Sequence, residues 1–195
     1  MINAVVRRPC HTAAAIIPRS VRAQAGYRTA ARYEPSEVAV GEGQAVVLAG
    51  GDYYDVFPVD GSTLVLLVGD ASGHGLKACM SIITMHTLIH MVNTERYRDT
   101  AQFVADINRL MCDNAIVQSG GGFITLFYGV IDSRRHTLTW SSAGHPLALL
   151  HDLEADEVRL VGVNTDSGLP LAISAEAEYE AKTTRVIPVV ALTRA

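Results

Sequence analysis

Nowhere do these 195 residues approach the run of roughly 20 apolar positions that a membrane-spanning helix needs; the longest apolar stretches, at 63–68 and 123–131, stop far short. Cysteine is scarce as well. Cys10, Cys79 and Cys112 are odd in number and form no C-x-x-C pair, which excludes a disulfide framework and a zinc finger and favours a reducing compartment, the cytoplasm. Nor is there any excess of base: 16 Lys and Arg stand against 20 Asp and Glu, a formal net charge of −4, so no global field draws in nucleic acid or an anionic membrane. What is plentiful is apolar surface. At 49% apolar and 18% charged residues, disorder is excluded, and one soluble domain with a single buried core is expected.

Charge is spread unevenly. The first 33 residues hold six arginines and no acid, which leaves ten bases and 20 acids for the rest, a net −10. Pro9 and Pro18 interrupt this start and no sustained apolar core follows it, so transit-peptide and twin-arginine readings are set aside for an N-terminal arm over 1–15. Further on, alternation predicts a strand over 27–33 and a second over 45–49, both before a turn at Gly50-Gly51. The apolar stretch 63–69 predicts a central strand covered on both faces. Helical spacings predict a helix over 76–92 with Cys79, Met80, Ile83, Leu88, Ile89 and Val92 as its apolar positions, and another on Phe103, Val104, Ile107, Leu110 and Met111. After Gly120-Gly121-Gly122, strands at 123–131, 136–142 and 147–151 predict a meander, and a final pair is expected at 178–184 and 189–193. Strands, two helices, then more strands predict an α+β layered domain with helices stacked on antiparallel sheets.

Two acids stand beside glycines at strand ends: Asp52 in Gly50-Gly51-Asp52-Tyr53-Tyr54-Asp55, and Asp70 in Gly69-Asp70-Ala71-Ser72-Gly73-His74-Gly75. Glycine permits tight turns and close backbone approach, so carboxylates and backbone carbonyls can converge on one small object. If the two acids meet, their like charges require a raised pKa or a counter-cation, and Mg²⁺ or Mn²⁺ is the hard cation such oxygens suit. A pair of such ions about 3.5–4 Å apart would generate hydroxide at neutral pH and clamp a phosphoryl group. The plainer alternative is that each Asp caps a turn or a helix.

These segments, with Phe123-Ile124-Thr125-Leu126-Phe127-Tyr128-Gly129 and Ser142-Ala143-Gly144-His145-Pro146, occur in the order and spacing of bacterial PPM-type serine/threonine phosphatases, in the branch of stage II sporulation protein E. Ile17-Pro18 and Gly26-Tyr27-Arg28-Thr29-Ala30-Ala31-Arg32-Tyr33-Glu34-Pro35 resemble the opening of that domain, so the resemblance covers 16–195. It implies an αββα four-layer sandwich and a dinuclear Mn²⁺ or Mg²⁺ centre. It also implies hydrolysis of phosphoserine or phosphothreonine by metal-activated water, on a regulatory protein such as an anti-sigma-factor antagonist. By motif, Asp52 resembles the metal-bridging carboxylate, Asp70 the ligand at the end of the next strand, and Ala71 a backbone-carbonyl ligand. Ser72 stands where eukaryotic relatives carry a histidine. His74, two positions on, is expected to orient the loop at the helix start or to move a proton, and His145 to fix a turn. The family's later Thr-Asp-Gly aspartate falls where this sequence has Arg194 or ends, and a further family aspartate has no counterpart. The domain is therefore expected to lack its final strands, with an open sheet edge, and the competing reading is a catalytically impaired, protein-binding module.

Two other signals are weighed. Gly73-His74-Gly75-Leu76-Lys77-Ala78 fits a dinucleotide-binding G-x-G-x-x-A, with Glu95 about 20 residues on, but Asp70 would face the pyrophosphate. His86 and His90 have zinc-binding spacing, yet no glutamate lies between them, so they are expected to be ordinary helix histidines.

Overall fold

The computed structural model describes Tyr27 and residues 38–41, 44–47, 51–92, 94–186 and 189–192. The arm expected over 1–15, the strand expected over 27–33 apart from Tyr27, and Arg194 lie outside these residues. In chain order the elements are β1 (Val38–Gly41), β2 (Gln44–Val47), β3 (Asp52–Pro58), β4 (Thr63–Ala71), α1 (Gly75–Met91), α2 (Thr100–Cys112), α3 (Ala115–Gly120), β5 (Ile124–Asp132), β6 (Thr137–Ala143), β7 (Leu149–Asp152), β8 (Glu157–Leu160), β9 (Ser167–Gly168), β10 (Lys182–Arg185) and β11 (Val189–Leu192).

The main sheet runs β10-β6-β5-β4-β3, antiparallel throughout, with β9 added in parallel to β6. Alternation along β4 divides the core in two. Val65 and Leu67, with Leu126 and Tyr128 of β5, meet Ile82, Met85 and Ile89 of α1 and Phe103 and Ile107 of α2. Leu64 and Leu66, with Phe127, Leu138 and Trp140, meet Ala148, Leu150 and Val161 on the other side, where the sheet β11-β7-β8 lies. The fold is thus an α+β sandwich of antiparallel sheets, and β4 is covered on both faces because each face has its own layer to bury against. Among the described residues the layers are helices, main sheet and second sheet.

Several local expectations need correcting. The buried stripe of α1 is Ala78, Ile82, Met85 and Ile89, whereas Met80 and Ile83 are exposed. Apolar residues surround this helix almost completely, so periodicity alone could not pick the side that packs. In α2 the expected face holds except at Leu110, which is exposed. The meander ends at β6: β7 leaves for the second sheet, after Gly144 turns the chain with a left-handed φ of 68° and Pro146 removes a ladder donor. The final two strands do not pair with each other, because β10 joins β6 and β11 joins β7.

Gly144 is fixed twice over. Its φ favours glycine, and a Cβ there would lie 2.5 Å from Pro170 Cγ and 3.1 Å from Pro170 N. Gly144→Ala is expected to destabilise the fold by roughly 2 kcal/mol or more, from left-handed strain plus overpacking. Urea denaturation should show this as a lower midpoint at unchanged slope; an unchanged midpoint would refute it.

Candidate active site

Asp52 opens β3 and Asp70 is the penultimate residue of β4, and the hairpin register pairs them directly. Period-two alternation sets both carboxylates on the face shared with Leu64, Leu66 and Val56, the side of the second sheet. Asp52 therefore begins a strand; it does not end the preceding one. Residues directly opposite on neighbouring strands have Cβ atoms about 4.5–5.5 Å apart, and like charges so placed repel. Burial, and then the neighbouring Asp70 charge, push the Asp52 carboxyl above the usual carboxylate range. Partial desolvation of its otherwise exposed carboxyl does the same for Asp70.

The backbone around the pair is drawn in tightly. Ala71 N donates to Gly51 O at 2.9 Å. A Cβ on Gly51 would sit 2.6 Å from the Ala71 carbonyl oxygen and 3.2 Å from Asp70 Oδ1, so only glycine lets the two strands close here. The result is a small cradle of hard oxygens, two carboxylates and a carbonyl, which fits a Mg²⁺- or Mn²⁺-type ion that keeps several waters of its own.

The loop beyond is pinned. Ser72 N donates to Phe123 O at 2.8 Å, and Ser72 Oγ accepts from Phe123 N at 2.8 Å. Ser72 thus latches the loop to the strand entering β5. Gly73 and Gly75 take left-handed φ values of 87° and 71°, and the exposed His74 between them is the N-cap residue of α1, without a side-chain capping bond.

Thr125 carries no sequence signal inside its apolar run. It pairs with Asp70 across β4 and β5, donates to Asp70 O at 3.3 Å and shares a 2.9 Å hydrogen bond with Nδ1 of the buried His145. His145 sits in the turn after β6, where Ser142 Oγ donates to its carbonyl at 3.0 Å.

The opposite face of β3 holds a second cluster. Asp55, His86 and His90 are the one group of three or more His, Cys, Asp or Glu that converges among the described residues. The two histidines share one turn of α1 and meet a carboxylate from the sheet. The dinucleotide reading fails on topology, since β4 and β5, joined through the helices, run antiparallel where a dinucleotide fold needs a parallel β-α-β unit.

The profile of the stage II sporulation protein E (SpoIIE) family matches residues 60–190. Phosphoserine phosphatase RsbU of Bacillus subtilis is 29% identical over 159 residues, covering 75% of this chain and 42% of RsbU. Among solved structures, the PP2C phosphatase domain with a fragment of the regulatory domain of Bacillus subtilis SpoIIE superposes with a TM-score of 0.55 at 17% identity, over 77% of this chain and 41% of that one. RsbX in complex with magnesium gives 0.51 at 18% identity, over 76% and 65%. At these identities the structures bear on the fold. The chain spans less than half the length of the curated relatives it matches.

The raised carboxyls fix the sign of a stability effect. An acid whose native pKa exceeds its unfolded value favours folding below the unfolded pKa, and that contribution is lost as pH rises through the native value. At neutral pH the ionised pair therefore opposes folding. Asp70→Asn should raise the melting temperature of the metal-free protein at neutral pH, with the gain disappearing in acid. A lower melting temperature at neutral pH would contradict this.

Proposed function

This chain belongs to the stage II sporulation protein E (SpoIIE) family, and from that premise we propose that it is a metal-dependent serine/threonine protein phosphatase acting on a phosphorylated regulatory protein. The observation that carries the reading is the Asp52–Asp70 pair closed by Gly51. Asp52, Asp70 and the Ala71 carbonyl would hold the cation, Mn²⁺ or Mg²⁺. Once bound, such an ion polarises phosphoryl oxygens and acidifies a water so that it can attack phosphorus at neutral pH. The reaction is in-line: water oxygen bonds to phosphorus, the bond from phosphorus to the seryl or threonyl oxygen breaks, and that oxygen gains a proton.

The remaining residues position this pair. Ser72 fixes the loop after Asp70, and Thr125 fixes the Asp70 backbone from the neighbouring strand. His145 supports Thr125 from the turn at Gly144. His74 lies exposed at the loop tip and is assigned to orienting the start of α1. Asp70 itself is exposed, so a phosphorylated side chain on a protein surface can reach it without entering a deep cavity. An anti-sigma-factor antagonist is the proposed substrate class, the cytoplasm the proposed compartment, and 16–195 the proposed domain, with 1–15 as an arm.

A second reading has one observation in its favour. Among the described residues no third carboxylate, histidine or cysteine joins Asp52 and Asp70, which suits a module that binds its phosphoprotein with little turnover. Phosphate release from a phosphoserine protein in Mn²⁺ separates the two readings. Asp70→Asn is expected to lower kcat by about 10²–10³, the scale on which loss of one preorganised electrostatic partner registers, and His74→Ala by far less. Equal rates for wild type and Asp70→Asn would refute metal-assisted catalysis at this pair and leave the binding module.

A further inference from the structure

We propose that Asp55, His86 and His90 form a second metal site, selective for zinc-class transition ions, that clamps α1 to β3. One ligand atom from each residue lies within 4.8 Å of the other two. His90 Nε2 is 2.8 Å from Asp55 Oδ2, and the two imidazole centroids are 4.5 Å apart. Bonds of about 2.0–2.1 Å to a tetrahedral zinc place ligand atoms about 3.4 Å from one another, a spacing that falls between the 2.8 Å of the closest pair and the 4.8 Å that bounds all three. The side chain of His90 is 39% exposed and that of Asp55 8%, which gives an ion entry from solvent and a buried anionic anchor.

The donor set is what separates this site from the Asp52–Asp70 pair. Two imidazoles and one carboxylate suit a borderline ion such as Zn²⁺, whereas an all-oxygen cradle suits Mg²⁺ or Mn²⁺. An outer partner is in place. Tyr53 donates to Asp55 Oδ2 at 3.1 Å and shares a 2.7 Å hydrogen bond with His86 Nδ1, fixing both groups as outer-shell partners of bound metals do. Asp55 Oδ1 accepts from Val56 N at 2.7 Å, leaving Oδ2 to turn toward the ion. Because β3 alternates, the two sites lie on opposite faces of one strand, three residues apart. An ion here ties that strand to the helix that starts at the Asp70 loop.

Calorimetric titration of the metal-free full chain with ZnCl₂ tests this, with Co²⁺ absorption as a spectroscopic probe. Wild type and Asp52→Asn/Asp70→Asn are expected to bind one zinc with the same affinity and to give visible Co²⁺ bands of an imidazole-ligated ion. His86→Gln and His90→Gln should each weaken zinc by at least ~10-fold and abolish those bands, and Tyr53→Phe should weaken it by ~10-fold or more. Circular dichroism keeps folding separate from ligation, and the partly exposed His90 serves as the variant least able to unfold the chain. No zinc binding by wild type, loss of zinc in Asp52→Asn/Asp70→Asn, or unchanged affinity in folded His90→Gln would each overturn the site. None of these results alters the Mn²⁺-dependent hydrolysis expected at the other face.

Discussion

Two carboxylates held opposite each other across an antiparallel ladder are an arrangement a sheet avoids unless something else requires it. Here the β3–β4 hairpin imposes it. Asp60, in the connecting turn, accepts from Ser62 N at 2.7 Å and Thr63 N at 2.9 Å, and these bonds hold its carboxyl down to about 2. A turn closed in this way fixes the register, and the register places residue 52 opposite residue 70. A slip of one residue would carry Asp70 to the helix face, into the company of Val65, Leu67 and Met85. The site is therefore a property of the turn as much as of the two acids.

The same alternation gives the two faces of β3 different chemistry. Tyr53, Asp55 and Phe57 turn toward the helices, where the packing is aromatic and hydrogen-bonded: Phe57 and Tyr97 meet edge to face, Phe103 stacks on Tyr128 at 4.2 Å, and the Tyr128 and Tyr97 hydroxyls donate to the Tyr97 and Ile89 carbonyls. On the other side Phe127 stacks on Trp140 at 5.5 Å. The paired strands that carry Asp52 and Asp70 thus lie against closely packed side chains on both faces of the sheet. Preorganisation of this kind is what charged oxygens need if they are to wait for a cation without collapsing away from each other.

The contrast between local and distant information explains which features are legible in the amino-acid sequence. The runs 63–69 and 123–131 are β-rich and long enough to announce strands, and the glycine-flanked aspartates announce a site, since these signals are local. The pairing of β7 with β8 and β11 is not local, and no pattern in 147–151 distinguishes a third meander strand from the first strand of a new sheet. β3 is hidden because its acids interrupt the apolar alternation, and its first residue reads as the end of the strand expected over 45–49. Thr125 looks like any β-branched core residue until the register sets it beside Asp70. The four-residue spacing of His86 and His90 is legible, but the group that gives it meaning, Asp55, lies 35 residues before His90 and on another element.

Charge balance limits what the Asp52–Asp70 cradle can hold. Two ionised carboxylates supply two negative charges, which neutralise one divalent cation and relieve the repulsion that adds to burial in raising Asp52. The family resemblance implies two ions. A second ion a few ångströms from the first would meet a repulsion that, at an effective dielectric constant near 20, is on the order of 15 kcal/mol before any ligand offsets it. Among the described residues no third His, Cys, Asp or Glu closes on the pair to form a group of three, so the two acids by themselves balance the charge of a single divalent ion. Occupancy by a second would require carboxylates brought from beyond the described residues or oxygens of the phosphoryl group itself, in which case substrate and second ion would bind together.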